Sequence, residues 1–265
     1  MDDYFWTEVE LLKKREEYDQ VQILLQKAVK EYPDDPALVH LDIQIQFIQG
    51  KGEVENLVGR ARQFSTYLPL QRDVVAILLE RGDVEQATEK MAENFKIFGP
   101  SADLWTDYGV IFRHKNERNQ AEMCFQRAIS LDYQSEYSWF NLGNLYLDEG
   151  RCADAEQVYL RAIRIDDQNL EIWVQLVYSV LARMEYLIAL RFIAHAQKRV
   201  GDFPILFYLQ SLASYELGKK KEAKWAIHQA LKNGNRKIFW EHLILLLEEE
   251  GIDTTDAKEF SKKAK

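Results

Sequence analysis

Cysteine, proline and long apolar runs are all scarce in this chain, and it has no excess of basic charge. Its two cysteines, Cys124 and Cys152, cannot build a disulfide framework, and so few thiols point to a reducing compartment. The longest apolar runs, such as "LILLL" at 243–247, fall far short of the roughly 18–20 residues that a membrane span needs. The first residues, "MDDYFWTEVE", open with acids and lack a basic stretch leading into an apolar one, so no secretory signal is expected. A cytoplasmic protein without membrane insertion is the resulting expectation. Acid outweighs base, with a net charge of -9 and a pI near 5.2. A protein that grips a phosphate backbone normally presents a basic surface, so nucleic acid is disfavoured as a partner.

What is present is a soluble globular composition, 47% hydrophobic and 29% charged, with no low-complexity tract. The 265 residues suffice for one or two domains with a well-buried interior. Charge is uneven: residues 204–265 hold 11 Lys+Arg against 9 Asp+Glu, whereas the rest is strongly acidic. "GKKKEAK" (218–224) and "SKKAK" (261–265) make this local excess, and it reads as solvated turns and a charged terminus.

Self-similarity organises the remainder. Alanines stand at 87, 121, 155, 189, 223 and 257, always 34 apart, and a second column runs through Ala128, Ala162, Ala196, Ala230 and Ala264. Bulky residues keep the period: Trp105, Trp139, Trp173 and Phe207 in one column, Met91, Phe125, Tyr159, Ile193 and Ile227 in another. Gly109 and Gly143 match each other. Turn glycines stand at 82, 150 and 218, with Asn116 and Met184 at the intervening positions. All five prolines (Pro33, Pro36, Pro69, Pro100, Pro204) fall where one unit hands over to the next, where a helix is ending or beginning.

Within a unit the spacing is helical. Trp139, Leu142, Gly143 and Tyr146 lie at i, i+3, i+4 and i+7 of a first helix, and Ala155, Tyr159 and Ala162 share one face of a second. The small residues let two backbones approach while the rings fill the space left. A helix pair of this kind cannot bury its apolar face alone, so neighbouring units must stack.

These columns resemble the tetratricopeptide repeat, and residues 136–169 match that family's pattern through Trp139, Leu142, Gly143, Tyr146, Ala155, Tyr159 and Ala162. The resemblance implies an all-α, right-handed α-α superhelix of about seven helix-turn-helix units and a C-terminal capping helix. The units are approximately 2–37, 38–69, 70–101, 102–135, 136–169, 170–203 and 204–237, with a partial unit and cap over 238–265. Close spacing of Pro69 and Gly82 suggests a shortened first helix in the third unit. Ala257, Phe260 and Ala264 are expected on the buried side of the cap.

No catalytic or metal-binding constellation is visible, and no cofactor is implied. The five histidines form no HxxxH or HExxH pair, and the cysteines form no CxxC. "GKGEVENLVG" (50–59) is neither a Walker loop nor a dinucleotide fingerprint. His114 reads as a helix-terminal cation, and Asp166-Asp167 as a turn. The expectation is a non-enzyme.

In the family, the first helix of each unit lines a concave groove. That resemblance places Arg113 there, then Tyr137, Phe140, Asn144, Leu147 and Asp148 from the next unit. Glu171, Val174, Tyr178 and Leu181 follow, then Ile205, Tyr208, Leu212 and Tyr215, with Phe239 and His242 continuing the line. The lining is aromatic and apolar, as a protein-binding surface would be. Asn141 and Asn144 could serve the family's carboxylate clamp, but its lysine positions hold Thr106, Phe140 and Val174. The resulting expectation is an adaptor or scaffold that holds a protein or peptide segment. Alternatives are a self-assembling or chaperone-like factor acting through its ends, where Tyr4 and Trp6 face outward, and, further off, RNA binding or an accessory subunit of an enzyme. A homo-oligomer is compatible with the second reading.

Overall fold

The computed structural model describes residues 3–15, 17–234 and 237–248, together with 254, 258, 261, 262 and 264. Among the described residues there are fifteen helices and no strand. They run in pairs: α1 (Asp3–Lys14) with α2 (Tyr18–Glu31), α3 (Pro36–Ile48) with α4 (Val54–Gln63), and α5 (Leu68–Glu80) with α6 (Val84–Phe98). Next come α7 (Ala102–His114) with α8 (Arg118–Leu131), α9 (Glu136–Asp148) with α10 (Cys152–Ile165), and α11 (Leu170–Ala182) with α12 (Tyr186–Val200). The last are α13 (Pro204–Glu216) with α14 (Lys220–Asn233), and α15 (Lys237–Glu248). Helix α5 has 13 residues, as do α3 and α7, so the third unit's first helix is not shortened. Pro69 sits inside its first turn, where a proline forfeits no helical hydrogen bond. Of the expected cap, Ala257 and Phe260 lie outside the described residues, and Ala264 is half-buried.

The chain divides into two compact units, Met1–Ala121 and Glu122–Lys265. In the first, the leading helices α3 and α5 each serve two cores. Leu38, Leu41 and Ile45 of α3 join Val9 and Leu12 of α1 and Val21, Leu25 and Ala28 of α2. Val39 and Ile43, on the other side of α3, join Leu57 and Ala61 of α4 and Leu70 and Val74 of α5. Val75 and Leu79 then hand over to Ala87, Met91, Leu104 and Ile111. This double burial explains why α3 and α5 carry apolar residues on two sides.

The second unit repeats the scheme, and the sequence columns lie at its centre. Ala155, Ala189 and Ala223 are fully buried, as are Ala128, Ala162, Ala196 and Ala230. Tyr159, Phe125 and Ile227 are buried completely beside them. A ring of that size removes about 150–250 Å² from water. That is worth about 4–6 kcal/mol before ordering costs, an upper bound.

Turns and caps also keep the period. Gly82, Gly150 and Gly218 have φ of 80°, 73° and 73°, and Asn116 and Met184 adopt the same left-handed conformation at 60°. Asparagine tolerates that region, whereas methionine is strained in it. Ser101, Ser135 and Asn169 cap α7, α9 and α11 by accepting backbone N–H bonds at 3.3, 3.2 and 3.0 Å. Phe203, one period on, stands at the N-cap of α13 and makes no such bond.

Candidate functional site

The expected lining divides between the two units. In the second, α9, α11 and α13 are the leading helices, and α11 packs against both of the others. Tyr137 of α9 and Tyr178 of α11 are 40% and 36% exposed. Phe140, Leu147, Val174, Leu181, Ile205, Leu212 and Tyr215 are half-buried, and Asp148 and Glu171 are exposed. These side chains recur on successive leading helices, so the accessible face is apolar and aromatic with carboxylates among it. Aromatic side chains give large contact area for few rotatable bonds.

Three residues assigned to that face are instead core. Phe239 is fully buried, and Tyr208 and His242 are 8% and 7% exposed. Their rings pack together: Tyr208 lies 5.3 Å from Phe239 and 5.8 Å from His242, and His242 meets Tyr215 edge-on at 6.0 Å. The reason is that α15 closes over this end of α13, so the helix face that was expected to be open becomes a contact between rings. Burial raises the Tyr208 pKa above its ordinary value, with Tyr178 and Glu241 adding to the shift.

His242 is held by a hydrogen bond whose direction can be derived. The Ser211 hydroxyl donates its only proton to the Ala223 carbonyl at 2.7 Å. At 3.0 Å from His242 Nε2 it can therefore only accept, which places the imidazole proton on Nε2. Burial lowers the imidazole pKa, and hydrogen bonding to the Ser211 backbone opposes that only in part.

Two further expectations change. Asn144 accepts a hydrogen bond from the Tyr159 hydroxyl at 2.6 Å, so its amide oxygen is committed to the core. Asn141 is buried and donates to the Tyr137 carbonyl at 2.8 Å, one turn back in its own helix. Neither is arranged as a carboxylate clamp. Trp6 does not face freely outward: it packs against the first core cluster and meets Phe5 at 5.2 Å, while Tyr4 is 73% exposed. His114 lies in the last turn of α7, but burial and then Arg113 lower its pKa, so it is not a ready cation there.

The leading helices of the first unit differ in kind. His40 of α3 meets Asp73 of α5 at 2.8 Å. Arg72 of α5 holds Asp107 of α7 with two bonds, 2.5 and 3.0 Å, and reaches Asp103 at 3.4 Å. Burial raises the Asp107 pKa, against the pull of Arg72. Arg113, half-buried in the last turn of α7, belongs to this polar unit. The sequence reading missed the ladder. Its signal was hydrogen-bonding partners for a carboxylate 33–35 residues before it, one repeat plus or minus a position, as His40–Asp73 and Arg72–Asp107 stand.

A hollow of about 870 Å³ in the second unit is lined by Arg164, Asp167, Trp173, His195, Lys198 and Arg199. Arg199 is paired with Asp167 at 3.2 Å, and the Trp173 indole N–H donates to the Asp167 carbonyl at 2.9 Å. Among the described residues, no three His, Cys, Asp or Glu side chains converge as metal ligands would, and no helix is long and apolar enough to cross a membrane.

A tetratricopeptide-repeat family model matches residues 114–169. No curated protein matches the sequence. Among solved structures, a tetratricopeptide-repeat protein from Parabacteroides merdae is similar at 14% identity and a TM-score of 0.61, over 92% of this chain and 98% of that one. A chain of the APC/C hetero-tetramer Cut9–Hcn1 is similar at 15% identity and a TM-score of 0.65, over 92% of this chain and 48% of that one. A thermophilic TPR protein in Thermus thermophilus is similar at 22% identity and a TM-score of 0.57, over 65% and 95%. The tetratricopeptide-repeat signature thus lies at residues 114–169, and over nine-tenths of its length the chain is similar in fold to the Parabacteroides merdae tetratricopeptide-repeat protein.

Proposed function

We propose that the protein is a non-catalytic interaction scaffold that holds a protein segment against the leading helices of its second unit. The observation that carries this reading is the recurrence of accessible apolar side chains on α9, α11 and α13, with Tyr137 and Tyr178 the most exposed of the rings. Repeats of this family are generally non-catalytic, and they commonly present partners with a surface built from such helices. Phe140, Leu147, Val174 and Leu181 would take the apolar side chains of an extended or helical segment. Asp148 and Glu171 would favour a segment that carries positive charge. Tyr208, Phe239 and His242 support that surface from beneath instead of touching the partner.

A photo-crosslinking amino acid at position 178, introduced in cells and followed by mass spectrometry, would identify what lies against this face. The expected product is a discrete protein adduct that disappears when Tyr137 and Glu171 are changed to Lys and Arg in the same chain. An adduct pattern indifferent to those changes, in a protein that still melts cooperatively, would defeat the reading.

A further inference from the structure

One surface of the second unit is not used by that reading. Helix α14 turns Ala223, Ala226, Ile227 and Ala230 inward, all fully buried. Lys221, Trp225, His228 and Lys232 follow at i, i+4, i+7 and i+11, and all four are exposed. Four lysines stand against one glutamate on this helix, in a chain whose net charge is -9. Among the described residues neither Lys221 nor Lys232 is ion-paired. Trp225 is 53% exposed, its ring touching Phe207 at a centroid distance of 5.9 Å.

Apolar residues flank this helix at both ends, each at a position where the other repeats place something smaller or more polar. Phe203, 42% exposed, replaces the capping serine or asparagine of α7, α9 and α11. It precedes Pro204, whose ring lies beside Gly234 at the end of α14. At the other end, Tyr186 hydrogen-bonds Glu216, which joins the first turn of α12 to the last residue of α13, just ahead of α14. Met184 and Leu187, 74% and 60% exposed, protrude from that neighbouring turn. A missing cap and a left-handed methionine each cost some local stability.

We propose that the outer face of α14, with the flanking Phe203 and Met184–Leu187, docks on an anionic lipid surface. A basic face with a central tryptophan is the composition that seats a helix at a headgroup boundary. The whole-protein charge does not oppose this, because at about 0.15 M salt the screening length is about 8 Å and the lipid senses the nearby lysines. Aliphatic tips and a protruding turn suit acyl chains. Nucleic acid would ask instead for further stacking rings along a groove. The surface lies on the second helix of its pair, apart from the face assigned to the protein segment.

The test uses the full chain with vesicles of phosphatidylcholine alone and of phosphatidylcholine and phosphatidylserine in equal parts, read by flotation. Recovery with the anionic vesicles only, falling as salt rises, is expected. Each lysine near the surface is worth about fivefold in partitioning, so Lys221→Glu with Lys232→Glu lowers it by about a hundredfold or more. Trp225→Ser lowers it by about tenfold. Tyr178→Lys leaves it unchanged, which separates this surface from the protein-binding face. Circular dichroism melts establish that each variant is folded. Absence of recovery with anionic vesicles, or equal recovery of the lysine variant and the parent, overturns the proposal. Tighter capture by polyuridylate than by the anionic vesicles, lost in the same lysine variant, would also overturn it and reassign the face to nucleic acid.

Discussion

The ring of Tyr159 fills the space that a side chain on Gly143 would need. A Cβ built there meets the tyrosine Cε1 at 2.5 Å and Cδ1 at 2.8 Å. The same tyrosine's hydroxyl donates to Asn144 Oδ1, so α9 and α10 are locked by steric fit and by a hydrogen bond at one point.

Gly143→Ala is therefore expected to destabilise the protein by about 1–3 kcal/mol, the range for overpacking a well-filled core. Urea unfolding measures it. Combining it with Tyr159→Leu should cost less than the sum of the two single changes, since removing the ring relieves the clash. Strict additivity would show that the two positions do not collide.

Asn94 stands one period before Ala128 and is fully buried, and among the described residues neither of its amide atoms has a hydrogen-bond partner. An unsatisfied buried polar group costs about 1–3 kcal/mol. Asn94→Ala restores the small apolar residue found at the equivalent position of later repeats, and should raise stability by roughly that amount. A lower unfolding midpoint for the variant would contradict this account.

Met184 holds φ of 60° with its side chain 74% exposed, at the position where other repeats have glycine. Met184→Gly relieves the left-handed strain, less the entropy glycine adds to the unfolded chain, for a net gain of about 0.5–1 kcal/mol. Differential scanning calorimetry should show a higher melting temperature.

His242 gives a stability term with a definite direction in pH. Ser211 and the rings of Tyr208 and Tyr215 surround it, and burial holds its pKa below the ordinary histidine value. The unfolded chain, with a value of about 6.5, binds the proton first. The contribution is complete above that value and is lost as pH falls through the folded one. His242→Gln keeps an N–H for Ser211 and cannot titrate, so its stability should fall less than that of the parent between neutral and mildly acidic pH. Parallel curves would place the acid sensitivity elsewhere.

The period, the helix pairs and the core were legible in the sequence because packing one helix pair on the next demands the same small and large residues every 34 positions. Ala155, Ala162, Tyr159, Phe125 and Ile227 are all fully buried, as that logic requires. Turns at Gly150 and Met184 were legible from the same period, and the structure shows both to be left-handed. Residue identity alone did not settle which second face of a leading helix stays open. Tyr178 and Tyr208 occupy comparable faces of adjacent leading helices, yet one is exposed and the other lies under Phe239 and His242. Periodicity specifies which side of a helix meets its own partner. Whether the adjoining side meets water depends on how closely the next leading helix approaches, and here α15 brings its rings onto α13. Asn144 shows the same limit at the scale of one side chain: its place on the helix was readable, but its bond to Tyr159 exists only because α10 is packed against it.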